Sequence, residues 1–257
     1  MIVKPRDFDP FTRQWSRTRL EWMMAVFIAM AAGYLDGYGL FFLKTYVSFM
    51  SGNTTSAGVS GGHGDFLTAL PSGLAILCFV SGSFFGNLMS QSKLRHARRI
   101  TFGLIAAGIA AVAGMQWAGL QHAPSEIAVM CLAMGMTNPT LSKVGPESVS
   151  LTFVTGTLSR IGGHLAAAAA GKTLKDRQGP EDTHLHRALI EGSIWGGLFT
   201  GAVLSGVAGS NFPTWALLPP FIVMLVLGLL SESAEPPAGI GSGAVEAPPI
   251  AEHPHGG

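Results

Sequence analysis

Three ionisable side chains stand in stretches otherwise made of apolar, glycine and hydroxyl residues, and they have the most chemistry to offer. Asp36 lies between Gly33 and the pair Gly37 and Gly39. A carboxylate inside an apolar run can couple an ion or a proton; the plainer alternative is a residue at the outer interface that touches water. Arg160 can pair with Asp36, or hold an anionic solute through its planar fork; its alternative is to snorkel to the cytoplasmic face. His164 is one turn further along the same helical face and can titrate near neutral pH, or serve as a packed histidine. Ser51, Gly52, Asn53 and Thr54 in one segment, and Thr155, Gly156 and Thr157 in another, supply hydroxyl, amide and backbone ligands. Asn138 precedes Pro139, a position that frees backbone carbonyls. These polar groups could equally satisfy one another between packed helices.

The elements that must position these residues are membrane spans. The chain has 257 residues, 48% hydrophobic and 12% charged, against roughly 25% charged in a soluble domain. Six stretches carry the ~20 apolar residues that a spanning helix needs: 21–42, 67–90, 101–120, 126–143, 188–209 and 213–231. Residues 46–58 and 150–162, the latter running into alanines 166–170, are apolar on average but rich in Ser, Thr and Gly. Full, broken and re-entrant helices are all compatible with that composition. Charge placement separates the cases, because cytoplasmic loops carry the excess of Lys and Arg. The N-terminus, the 93–99 loop and the 172–187 loop are basic, whereas 60–66, 120–125 and 209–213 hold no Lys or Arg. Six crossings put every basic loop inside, with both termini cytoplasmic; eight crossings would put the 93–99 loop outside.

The fold class expected is therefore an all-α polytopic membrane protein. Residues 1–19 form a basic cytoplasmic arm, 20–232 the membrane domain, and 233–257 a disordered Pro/Gly/Ala tail. The basic first twenty residues hold no apolar core, so the run from Trp22 is expected to stay as an anchor and not to be cleaved. Trp22, Trp117, Trp195 and Trp215 fall near span ends, as an aromatic belt would place them. Cys78 and Cys131 sit in apolar runs and read as packing residues.

The membrane domain divides into two similar halves, 20–120 and 126–232. Ser48-Phe-Met-Ser-Gly52 matches Thr152-Phe-Val-Thr-Gly156, and Gly33-Tyr-Leu-Asp36 matches Gly135-Met-Thr-Asn138. Gly82-Ser-Phe-Phe-Gly86 matches Gly197-Leu-Phe-Thr-Gly201. Three crossings per half put the halves in opposite orientation, an inverted repeat. Such repeats with interrupted helices commonly place a transport site near the midplane. The glycines alone could instead serve close packing.

These motifs, Ala32-Gly-Tyr-Leu-Asp36, Phe49-Met-Ser-Gly-Asn-Thr54 and Phe153-Val-Thr-Gly-Thr-Leu-Ser-Arg-Ile-Gly162, resemble the bacterial DUF1275 family, the YoaK-like membrane proteins. The resemblance covers roughly residues 20–230. It implies a six-span inner-membrane protein and carries no particular activity with it.

Three function classes remain. A small-solute transporter or channel, with a midplane site at the repeat interface, accounts for the interruptions and for Asp36. No P-loop occurs in the sequence, so ion coupling or passive flow is the expected drive, with no cofactor. A scaffold would use the basic loops and tail to dock partners. An intramembrane hydrolase would use Gly58-Val-Ser60-Gly61 with His164 as base, but such strings arise easily among 34 glycines, and the chain is expected not to be an enzyme. The near-zero net charge gives no sign of nucleic-acid binding. The expected partners are the lipid bilayer, a small solute or ion, and further copies of the chain. His184-x-His186 and His253-x-His255 lack the third ligand a metal site needs, so no metal is expected.

Overall fold

The computed structural model describes residues 10–92, 94, 96–140, 143–144, 147–148, 154–174, 176–177 and 181–231. The expected tail, 233–257, and the start of the second Ser/Thr-Gly segment, 150–153, lie outside them. Eight α-helices occur among the described residues. They are α1 (Pro10–Tyr38), α2 (Met50–Gly62), α3 (Phe66–Gln91), α4 (Ala97–Trp117), α5 (Ala123–Thr137), α6 (Val154–Ala169), α7 (His184–Asn211) and α8 (Leu218–Leu230). A π-helical turn (Gly39–Leu43) prolongs α1, and 3-10 turns follow α5 (Asn138–Thr140) and precede α8 (Pro213–Trp215). The only strands among the described residues form an antiparallel ladder of two residues each, Lys143–Val144 with Glu147–Ser148.

Five helical segments are long and apolar enough to cross a bilayer: Arg19–Leu43, Phe66–Gln91, Ala97–Trp117, His184–Asn211 and Pro213–Leu230. They coincide with five of the six expected spans. The sixth, 126–143, is a shorter α-helix that stops at Thr137, where Pro139 cannot continue the hydrogen-bond ladder. Basic residues 10–19 prove to be the first turns of α1. The outward side chains are those of a lipid-facing surface: Phe66, Leu67, Leu77, Val80 and Phe84 on α3 and Leu189, Phe199 and Val207 on α7 are each more than half exposed. Apolar area of that extent on a soluble surface would drive aggregation. This is a multi-pass integral membrane protein. Trp117 and Trp215 meet edge to face, ring centroids 4.9 Å apart, at one end of the helix set.

The interior rests on two helix crossings. Helix α1 packs along α7, and α3 packs along α5. Between them α4 packs against α8, while α2 lies on α3 and α6 lies on α7. Both principal crossings are made by glycine against backbone. A Cβ built on Gly33 would lie 2.0 Å from the Leu198 carbonyl oxygen, and one on Gly201 would lie 1.9 Å from that of Met30. Likewise one on Gly135 would lie 2.1 Å from the Phe79 oxygen, and one on Gly82 2.0 Å from that of Leu132. Each contacted carbonyl sits one turn before the partner helix's own glycine. The two crossings are alike in this respect: Gly201 meets α1 as Gly82 meets α5.

Helices α3 and α7 are both capped at their first turn. Asp65 accepts from the Thr68 N–H at 3.2 Å, and Thr183 from the His186 N–H at 3.1 Å. Hydrogen bonds from the Thr68 side chain and backbone hold the Asp65 carboxyl below the usual range. That cap therefore acts above the ordinary carboxylate pKa and is lost as pH falls through the lowered value.

The crossing geometry makes a direct prediction. Gly201→Ala forces the α1–α7 backbones apart and should destabilise the protein by roughly 1–3 kcal/mol. Gly103→Ala, where an added methyl meets nothing within 4 Å, should be neutral or slightly stabilising. Thermal unfolding in detergent compares the two; equal midpoints would refute the packing account.

Candidate functional site

Between Leu43 and Met50 the chain leaves helical geometry, and Lys44 takes a left-handed conformation with φ 55°. A non-helical stretch frees backbone N–H groups, and in hydrocarbon each must find a partner. Asp36 supplies it. Its Oδ1 accepts the N–H groups of Val47 (2.9 Å), Ser48 (2.7 Å) and Phe49 (3.2 Å), and its Oδ2 accepts the Ser48 hydroxyl (2.6 Å). The carboxylate on the last turn of α1 thus receives the chain at the point where α2 begins. The glycines on either side allow this. Gly39 abuts the Thr45 carbonyl, where a Cβ would lie 2.4 Å away.

Asn53 completes the junction one turn into α2. It is 1% exposed. Its Nδ2 donates to the Tyr46 carbonyl at 2.7 Å, and its Oδ1 accepts the Tyr46 N–H at 3.2 Å. Gly52 leaves room for the Phe49 and Tyr46 rings, which would stand 2.6 and 3.0 Å from an added Cβ. The structure therefore brings Asp36, Gly52 and Asn53 together around residues 46–49. Ser51 and Thr54 point away and are exposed; the Thr54 hydroxyl donates back to the Met50 carbonyl at 2.8 Å.

The second segment is built differently. Thr157 is buried at 3% exposure, Gly156 half-buried and Thr155 exposed. Asn138 is half-buried in the 3-10 turn after α5. Arg160 finds its carboxylate on α7, so the expected pairing with Asp36 is not the one formed. Its Nε and Nη2 donate to Glu191 Oε1 (2.7 Å) and Oε2 (3.1 Å), a bidentate pair. The Glu191 side chain is wholly buried and that of Arg160 one-third exposed. One turn beyond Arg160, His164 Nδ1 lies 2.9 Å from His184 Nδ1. One of those nitrogens must lack a proton for the contact to form. Below them Arg187 forks onto Asp182, with both distances 2.8 Å, and reaches Asp176 at 3.2 Å.

Besides Asp182, which lies just before α7, two buried acids within helices were not among the residues singled out from sequence. Glu191 lies next to a charged loop and reads as its edge, although an acid two turns inside an apolar helix is itself a signal. Glu126, 3% exposed, follows His122 and Pro124 and reads as an ordinary acid at a helix start.

Removing one partner of a buried pair costs far more than removing both. Glu191→Ala should destabilise the protein by about 3 kcal/mol, and the double change Arg160→Met with Glu191→Met should recover most of that loss. Unfolding in detergent with increasing SDS measures both. Asp36→Asn should cost about 1–3 kcal/mol, because an amide cannot match the charged acceptor; the same titration reads it.

Comparison with known proteins agrees with the membrane architecture. The chain is 31% identical over 202 residues to the UPF0700 transmembrane protein RA0705 of Rhizobium meliloti (strain 1021), covering 78% of this chain and 81% of that protein. No solved structure matches. The family model described as "Protein of unknown function (DUF1275)" matches residues 24–230. That match takes in all the helical crossings and both polar junctions, and the chain belongs to the DUF1275 family of transmembrane proteins.

Proposed function

We propose that this protein is a small-solute transporter or channel of the bacterial inner membrane, with its pathway at the interface of two inverted halves, α1–α4 and α5–α8. The observation that carries the reading is the pair of short helices α2 and α6. At 13 and 16 residues they are ~20 and ~24 Å long, short of the ~30 Å hydrocarbon layer; α5, at 15 residues, counts as the sixth crossing only together with the 3-10 turn Asn138–Thr140 that continues it. Backbone that is not helical at membrane depth has to be buried in protein or line a cavity. Helix α2 lies on α3 by one face only. Its other face carries Ser51, Thr54, Thr55 and Ser56 exposed, and Gly58, Gly61 and Gly62 meet nothing within 4 Å. A polar, open face of this kind suits water or a solute better than lipid.

The reciprocal glycine crossings support the two-copy architecture. Exchanging α1 for α5 and α3 for α7 turns one crossing into the other, with the same one-turn offset between glycine and carbonyl. Asn53 and Thr157, which match in sequence, are the buried polar residues of α2 and α6. The second half adds charge: the Arg160–Glu191 pair and the His164–His184 contact form a line of groups able to pass a proton or steady an anion. In this reading Asp36 holds the first junction in shape, and Arg160 faces the coupling ion or solute. The chain has no hydrolytic role, both termini face the cytoplasm, and six segments cross.

Reconstitution in proteoliposomes tests the proposal. Flux of a small solute should be present with wild type and fall at least several-fold in Arg160→Ala, while Ser60→Ala leaves it unchanged. Flux that is absent across a broad panel of anions, cations and neutral solutes would reject transport and leave the scaffold reading. Proteolysis of membrane substrates lost in Ser60→Ala would instead restore the hydrolase.

A further inference from the structure

A cavity of about 480 Å³ opens beside the first turn of α5, between the π-helical turn, the end of α4 and the 3-10 turn before α8. Phe42, Gln116, Trp117, Glu126 and Thr214 are among its walls. Glu126 is 3% exposed. Its Oε2 accepts Gln116 Nε2 at 3.2 Å, and among the described residues no other hydrogen bond or ion pair reaches this carboxylate. Gln116 Nε2 also donates to the Tyr38 hydroxyl. Both amide hydrogens are then engaged, and the Gln116 carbonyl oxygen is left as an acceptor. Trp117 is held in place at the mouth, its Nε1 donating to the Thr214 carbonyl at 3.0 Å and its ring against that of Trp215.

A buried carboxylate with one neutral donor is poorly compensated. The dipole of α5 favours an acid in its first turn, but that contribution is small. Among the described residues lining the cavity there is no Lys or Arg to balance that charge. A divalent metal fits badly, because it takes several charged or carbonyl ligands, and among the described residues no group of three or more His, Cys, Asp or Glu side chains forms. The walls have another character: one carboxylate, the side-chain amides of Gln116 and Gln121, and the rings of Phe42 and Trp117. Aromatic faces attract cations, and the volume is that of a small-molecule site. We propose that this cavity binds a small organic ammonium ion. Its N–H groups meet Glu126 and the Gln116 oxygen, and its carbon body lies against Phe42 and Trp117. The inference requires no transport, since binding is read on the purified protein.

Isothermal titration of the full-length protein in detergent with n-butylammonium chloride tests it, with 1-butanol and sodium chloride as the shape and charge controls. Saturable binding of butylammonium alone is expected, weakened about 10- to 100-fold in Glu126→Gln, the range expected for a charged hydrogen bond. Trp117→Leu, at an exposed position, should weaken binding several-fold with little change in thermal midpoint; it decides the question should Glu126→Gln fail to fold. No saturable binding to wild type overturns the proposal. So does unaltered affinity in both variants, or sodium binding with the same dependence on Glu126.

Discussion

A chain that leaves helical geometry at the end of a span must find a partner for every backbone N–H it buries, and the Asp36 carboxylate serves three of them. This constraint organises the first half of the molecule. It lets α1 end in a π-helical turn, fixes where α2 begins, and gives Asn53 a backbone strand to bracket. A buried carboxylate is costly, and here the cost is offset by four hydrogen bonds shared between its two oxygens. Asp36 is therefore a builder of the junction before it is anything else. A solute group could approach α2 along its exposed Ser and Thr face without displacing that carboxylate.

The second constraint is contact between backbones. Without a hydrophobic drive between helices in lipid, association depends on close packing. Gly33, Gly201, Gly82 and Gly135 supply it, each lying directly on a carbonyl of the neighbouring helix. The two crossings leave α2 and α6 outside the tightest packing, each resting on one neighbour. Those are the elements free to present polar faces, and the two differ. Helix α2 carries hydroxyls, whereas α6 carries the Arg160 guanidinium and the His164 ring. A scaffold with matched crossings and unmatched side chains can serve as a frame while chemistry is placed on one side.

Buried charge marks two further places. The Arg160–Glu191 pair is closed on itself, with both carboxylate oxygens occupied. The Glu126 carboxylate is open on one side and faces a cavity. In the closed pair the acid is satisfied and orients Arg160; the open acid is the one on which the proposed ammonium site rests. That contrast separates a structural charge from a binding charge better than burial alone, which is nearly the same for Glu191 and Glu126.

By itself the sequence determined the class of the molecule. Apolar runs of spanning length between basic loops are set by the cost of placing charge in hydrocarbon, so five spans and the membrane location were legible. Asp36 and the Ser-Gly-Asn segment stood out for the same reason, but not their joining. Only the tertiary structure decided the partners. Asp36 lies 11–13 residues from its donors, and Arg160 lies 31 from Glu191. No local periodicity encodes which of two distant acids a guanidinium will face. Glu126 looked like a routine helix start until α4 and the turn before α8 closed around it, since burial is made by neighbours that the local chain does not specify.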